Sequence, residues 1–262
     1  MSNEQAQVRC VFVHGWGMNR QVWQPLVDKL PSWIEVELID LPGHGSRYQE
    51  SFRNLDELSD DLEKICLKLP GNDLPLVMVG WSLGALPCMK VAIEARLDLS
   101  ALMFVSSNPC FVSKKGWAYG VESQVFEQFA QSLKDDFSGT IRRFLSLQVK
   151  GSDSGRAVLR ELREKILQQE KPDKTSLDAG LDILKQTDLR LQLSEITQPV
   201  CWMLGGQDGL VKSELADVLG DLMTQPEVKV FNKAGHAPFL SHADEFIQQL
   251  VSFLSNNVLK NS

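Results

Sequence analysis

Paired cysteines, an excess of basic residues and long apolar runs are all missing from this sequence of 262 residues. Its five cysteines, Cys10, Cys66, Cys88, Cys110 and Cys201, are scattered, odd in number and mostly inside apolar runs. There is no C-x-x-C pair, which argues against a thiolate zinc site, a dithiol redox centre or a disulfide framework. The pattern is that of a reduced, cytosolic protein. The formal net charge of −7 argues against general nucleic-acid binding. No apolar stretch approaches the length of a membrane span, and Met1 to Gln7 is polar without a signal-peptide core, so neither a membrane anchor nor secretion is expected. Only four histidines occur, His14, His44, His236 and His242. With no H-E-x-x-H, no histidine pair at helical spacing and no carboxylate-rich loop, a metal centre is not expected. The glycines after Val13 do not fit G-x-G-x-x-G, so a dinucleotide is not expected, nor is any other cofactor. Internal repeats and low-complexity segments are absent too.

What is present is an ordinary globular composition, 43% hydrophobic and 23% charged. The length suffices for one large α/β domain or a core with an inserted cap. The most informative stretch is Leu76 to Leu86. Leu76 to Val79 reads as a strand buried on both faces. It runs into Gly80-Trp81-Ser82-Leu83-Gly84, a match to G-x-S-x-G, and a helical pattern continues to about Arg96. Strand, tight turn and helix form the context of a nucleophile elbow, in which the serine hydroxyl is exposed above the sheet. The first N–H groups of the helix lie beside it.

Other strands are expected at Val8 to Val13, Val36 to Asp40, Ala101 to Ser106, Val200 to Leu204 and Val228 to Phe231. Between them, helical spacing appears over about Gln21 to Leu30, Leu55 to Leu69, Ser213 to Met223 and Ala243 to Ser255. Alternation of this kind predicts a mostly parallel sheet with helices on both faces. The rhythm fails between Ser113 and Asp188, where only helical patterns occur, over Val125 to Leu133, Gly139 to Gln148, Gly155 to Gln169 and Ser176 to Lys185. The expected organisation is a core of residues 1–112 and 190–262, with residues 113–189 as an inserted all-helical lid.

A serine nucleophile needs a base and an acid to orient that base. His236 sits in the loop after the last strand, and Asp208 in the loop after the strand before it. Both loops belong at the carboxyl ends of parallel strands, the edge that also holds Ser82. The order Ser82, Asp208, His236 is that of α/β hydrolases. The backbone N–H groups of Trp16 and Leu83 are the expected oxyanion donors. His14 is expected to fix its loop and the Trp16 side chain to lie at the mouth of the site. His44 is read as a loop-shaping residue, and His242 as a surface or supporting group.

Several segments resemble the pimeloyl-acyl-carrier-protein methyl ester esterases of biotin synthesis, a family of the α/β-hydrolase fold. They are His14 to Asn19, Asp40 to Gly45, Gly80 to Gly84, Ser106 to Phe111, Arg143 to Gln148, Asp208 to Val211 and Gly235 to Phe239. The likeness covers nearly the whole chain, including the lid. It implies a carboxylesterase that cleaves the methyl ester of a pimeloyl group carried on an acyl-carrier protein. By position, Trp16, Ser82, Leu83, Phe144, Leu145, Ser146, Leu147, Gln148 and His236 match the family's substrate contacts. Two departures are visible: the chain reaches its first strand almost at once, at Val8, so the amino-terminal strands usual in the fold are expected to be short or absent. Ala85 stands where many members have a further glycine.

Charge in the lid fits an acidic carrier. From Gly139 to Lys165 there are seven basic residues against three acidic ones, in a chain that is acidic as a whole. Arg142, Arg143, Arg156 and Arg160 are the candidate docking residues. The other expected properties are a monomer, no nucleic-acid partner and no membrane. A broad short-ester carboxylesterase, a carbon–carbon bond hydrolase of the same fold and a non-catalytic binding protein are the alternatives. The intact set of Ser82, Asp208 and His236 argues against the last.

Overall fold

The expected strands form one sheet in the computed structural model, which describes residues 6–70, 74–136, 139, 140, 143, 146, 157 and 172–261. The strands are β1 (Val8–Val13), β2 (Ile34–Ile39), β3 (Leu76–Trp81), β4 (Ala101–Val105), β5 (Val200–Gly205) and β6 (Glu227–Phe231). Their order is β2-β1-β3-β4-β5-β6, and every neighbouring pair is parallel. β1, β4 and β5 are buried along their whole length, as strands of a covered parallel sheet must be, and Arg9, the charge within β1, is buried in an ion pair with Glu35 of β2. The edge strands carry charges instead, Glu35 and Glu37 on β2 and Glu227 and Lys229 on β6. Charged edges of this kind discourage pairing with another sheet.

Five helices of nine residues or more are described: α1 (Leu55–Cys66), α2 (Ala85–Ile93), α3 (Ser123–Asp135), α4 (Lys174–Gln186) and α5 (Ala243–Asn257). Asn54 caps α1, its side chain accepting from the Glu57 N–H at 2.9 Å, and Asp56 and Glu57 complement the helix dipole. Right-handed crossovers that run in opposite directions place helices on opposite faces of a sheet. Accordingly α1 and α2 pack together on one face. On the other face the short helix Gln24–Val27 meets Pro238–Ser241, and Trp23 stacks on Phe239 with ring centroids 4.1 Å apart. The strand order reverses between β1 and β3. The loops that leave the carboxyl ends of these two strands therefore diverge and open a crevice.

Three local expectations need correction. The segment Gln21 to Leu30 is not one helix but a 3₁₀ turn, Arg20–Trp23, followed by Gln24–Val27. Pro25 stands at the start of the second piece, where its missing N–H and ring interrupt a continuous ladder. Ser213 to Met223 likewise divides into a 3₁₀ turn, Ser213–Asp217, and Leu219–Leu222, with the poor helix former Gly220 in the second piece. Finally, the stretch after Ser113 opens with a tight turn, not a helix. Isolated bridges join Val112 to Val121 and Lys114 to Trp117 around a Gly116 with φ of +78°. α3 and α4 follow this turn and pack against each other. Among the described residues, no helix is long and apolar enough to cross a membrane.

Candidate active site

β3 delivers Ser82 to the crevice in a strained backbone. Ser82 has φ of +54°, in the left-handed region that a side chain disfavours. Two glycines make the turn sterically possible. A Cβ on Gly80 would lie 2.4 Å from the Ala85 Cα, and one on Gly84 would lie 2.4 Å from the His14 carbonyl oxygen. The turn is thus wedged between its own helix and the loop after β1.

His236 reaches Ser82 from the loop after β6, its Nε2 lying 2.9 Å from the serine Oγ. The other ring nitrogen, Nδ1, is 2.7 Å from Asp208 Oδ2. Asp208 lies in the loop after β5, and its Oδ1 accepts from the N–H groups of Leu210 at 2.8 Å and Val211 at 3.1 Å. The Asp208 side chain is fully buried and that of His236 almost so. A carboxylate held by two backbone donors fixes the imidazole with Nδ1 protonated and leaves Nε2 free to accept from the serine. The arrangement can take a proton from Ser82 and stabilise the imidazolium that results.

Trp16 and Leu83 both line the crevice, one after β1 and one after the serine. The Trp16 side chain is 2% exposed, so it does not lie at an open mouth. Its indole N–H donates to the Leu177 carbonyl at 2.8 Å, and its ring meets Phe129 edge-on at 5.2 Å. Both partners belong to the helices between β4 and β5, which the sequence does not tie to Trp16.

The four histidines divide as their loops require. His14 Nδ1 lies 2.8 Å from the Gly15 carbonyl, and Nε2 accepts from the Leu41 N–H at 3.0 Å. The bond to Leu41 joins the loops after β1 and β2, and the two bonds together require a neutral ring; burial lowers the pKa accordingly. His44 is buried beside it with ring centroids 5.2 Å apart, and burial, followed by the influence of His14, lowers its pKa to about 3. Its Nδ1 bonds the Pro42 carbonyl at 3.0 Å. Asp40 binds the same loops, with Oδ1 accepting from the Arg20 N–H at 2.7 Å and Oδ2 from the Ser46 N–H at 2.9 Å. Burial raises the Asp40 pKa, but the hydrogen bonds and the nearby His14 outweigh it and the net shift is downward. His242 is half-buried, with its Nδ1 2.9 Å from Ser241 Oγ.

Two supporting residues have no signal in the sequence. Trp81 donates its indole N–H to the His236 carbonyl at 2.8 Å, with the two rings 5.7 Å apart. Ser107, just beyond β4, donates its hydroxyl to the Ser82 carbonyl at 3.0 Å. Both are side chain to backbone bonds between distant segments, and residue type alone does not encode them. A separate cavity of about 420 Å³, lined by Arg9, Cys66, Leu69, Leu74 and Leu97 among others, contains none of the groups above. It lies towards the amino-terminal ends of the strands, so its size carries no argument about chemistry at Ser82.

Of the expected substrate contacts in the segment 144–148, only Ser146 is described; it is exposed and helical. Phe144, Leu145, Leu147 and Gln148 lie outside the described residues, as do Arg142, Arg156 and Arg160. Arg143 is described, exposed, with Nη2 donating to Thr140 Oγ1 at 2.9 Å and Nη1 3.9 Å from Asp136.

Residues 10–249 match the model of the alpha/beta hydrolase family. A pimeloyl-[acyl-carrier protein] methyl ester esterase of Aliivibrio salmonicida is 39% identical over 244 residues, 93% of this chain and 91% of that protein. One of Pectobacterium carotovorum is 37% identical over 243 residues, 93% of this chain and 92% of that protein. The chain belongs to the pimeloyl-[acyl-carrier protein] methyl ester esterase family of α/β hydrolases. Family membership makes it a carboxylic ester hydrolase. Solved structures agree in fold at lower identity. An esterase from Exiguobacterium antarcticum has a TM-score of 0.84 and 18% identity, covering 96% of this chain and 93% of that one. A bromoperoxidase from Bacillus anthracis has a TM-score of 0.86 and the same identity and coverage. The different activities in those two titles illustrate that likeness at this level shows the fold alone.

Proposed function

We propose that the chain is a serine carboxylesterase that hydrolyses the methyl ester of pimeloyl-[acyl-carrier protein], releasing methanol and the free pimeloyl carboxylate for biotin synthesis. The observation that carries the chemical part is the hydrogen-bonded line from Ser82 Oγ through His236 to Asp208, at 2.9 and 2.7 Å. Ser82 attacks the ester carbonyl carbon while His236 takes its proton. The oxygen becomes an oxyanion received by the N–H groups of Trp16 and Leu83. Collapse breaks the bond to methoxide, which leaves as methanol with the proton from His236, and Ser82 remains acylated. Water then attacks the acyl carbon with His236 again as base, and the carboxylate departs from Ser82. No cofactor is required.

Substrate choice rests on the family. Curated relatives at 37–39% identity over nearly all of their length carry this activity in their names. Residues 113–189 serve as the lid, with Phe144 to Gln148 along the acyl chain and Arg142, Arg143, Arg156 and Arg160 facing the acidic carrier. The protein acts as a cytoplasmic monomer. The test is a comparison of kcat/KM on pimeloyl-carrier-protein methyl ester, on the free dimethyl ester and on a short acetyl ester. The proposal expects the carrier-linked substrate to be preferred by at least tenfold. Equal rates on all three would leave a general esterase.

A further inference from the structure

α4 carries a glycine at its centre, an expensive residue for a helix interior. Gly180 is buried on the face of α4 that covers the crevice, among Leu177, Ala179, Leu181, Ile183 and Leu184. A Cβ built on it would lie 2.7 Å from Trp16 Cδ1, 3.1 Å from Trp16 Nε1 and 3.2 Å from Leu83 Cδ2. Trp16 and Leu83 are the two residues whose backbone N–H groups are assigned to the oxyanion. The indole cannot simply step aside. Its N–H is bonded to the Leu177 carbonyl one turn earlier on α4, and Phe129 of α3 packs on its ring. The third nearest atom belongs to Leu83, which the elbow holds between Ser82 and Gly84.

We infer that Gly180 is a positioning residue: its missing side chain lets α4 rest directly on Trp16 and Leu83, and that seating sets both oxyanion N–H groups. The inference deepens the proposed function and rests on it. Any β-carbon at 180 has to lift α4 or turn the indole. Turning the indole breaks its bond to Leu177 and rotates the Trp16 backbone, which moves one donor away from the developing charge. Transition-state stabilisation by such donors is sensitive to distances of this size.

The helix itself gives the opposite expectation, which makes the test sharp. Alanine is a far better helix former than glycine, so a merely structural Gly180 could be replaced with no loss of turnover. The experiment measures kcat and KM of the wild type and of Gly180→Ala on a short acetyl ester and on pimeloyl dimethyl ester, with folding followed by circular dichroism. The inference expects kcat to fall at least tenfold on both esters with KM changed less than threefold. Labelling of Ser82 by a phosphonate, whose tetrahedral adduct uses the same donors, should slow in parallel. An unchanged kcat overturns it. A loss confined to the longer ester also overturns it, because the glycine would then only provide room for the acyl chain. If the single variant does not fold, Trp16→Ala and Trp16→Ala/Gly180→Ala carry the comparison, since the ring atoms that block the new Cβ are gone. The two should agree in kcat within about twofold, and a tenfold difference overturns the inference. Failure of the underlying reading is separable: it appears as wild-type protein without esterase activity, or as a Ser82→Ala variant that keeps it.

Discussion

At the scale of single residues, the serine hydroxyl is useful only through its neighbours. Ser82 without the His236 imidazole is an ordinary alcohol with a pKa far above neutrality, and the imidazole without Asp208 is free to take the other tautomer. Ser82→Ala should therefore lower kcat by more than about a thousandfold while circular dichroism and melting stay unchanged. Asp208→Asn should be less damaging by roughly one to two orders of magnitude, because the serine and base remain. Full activity in Asp208→Asn would mean that another carboxylate orients His236. A second residue-scale prediction concerns His44, whose pKa falls to about 3 in the fold against an ordinary value of 6.5. The unfolded chain then binds a proton that the folded chain refuses throughout that window, so stability rises with pH. The His44 contribution is complete above about pH 6.5 and is lost progressively as pH falls towards 3. Between pH 6.5 and 5 the loss should be about 2 kcal/mol, and His44→Asn should remove most of it. Urea midpoints of both proteins at pH 7.5 and pH 5 provide the check, and parallel pH profiles would contradict the assignment.

At the scale of elements, what matters is how closely the elbow is pressed against its surroundings. Gly84 faces backbone on its open side, with the His14 and Val13 carbonyl oxygens at 2.4 and 2.7 Å from a built Cβ. Backbone cannot yield as a flexible side chain can. Gly84→Ala should cost about 1–3 kcal/mol of stability and lower kcat as well, since the displaced loop carries Trp16. Chemical denaturation alongside kinetics would show it, and a fully stable, fully active variant would contradict the packing described. The legibility of elements follows the same logic. β1 is readable because a doubly covered strand is largely apolar, and Val8 to Val13 is such a run apart from Arg9, whose burial against Glu35 the run itself does not foretell. The broken helices at Arg20–Val27 and Ser213–Leu222 were less readable, because periodicity persists across a 3₁₀ turn while the hydrogen bonding changes. Pro25 was the available signal. The loops that hold Ser82, Asp208 and His236 were legible from chain order and strand ends. The bonds from Trp81 and Ser107 to the backbone of the site were not, since any donor of suitable reach could fill those places.

For the whole molecule, the proposed function implies that the charge distribution should separate two kinds of substrate. The chain carries a formal charge of −7, yet seven basic and three acidic residues fall between positions 139 and 165. Under the proposed function, an acidic carrier protein is expected to meet net repulsion from the chain as a whole and attraction from this segment, which would favour one orientation of encounter. A small neutral ester meets neither. Reversing Arg156 and Arg160 to glutamate changes the segment by four charges and should reduce kcat/KM for the carrier-linked ester by about tenfold or more at low salt. Hydrolysis of an acetyl ester should stay within about twofold, because Ser82, His236 and Asp208 are untouched. Arg143→Glu supplies a third member of the series at a position that is exposed and, among the described residues, bonded to Thr140 and near Asp136. Salt distinguishes charge from shape: between about 20 mM and 300 mM the screening length shortens severalfold, so the wild-type rate on the carrier-linked ester should fall and that on the acetyl ester should not. In the double reversal the salt effect should invert, because salt then screens repulsion. Equal losses on both esters would assign the arginines to the architecture of the segment, and a salt response shared by both would assign it to catalysis and not to encounter.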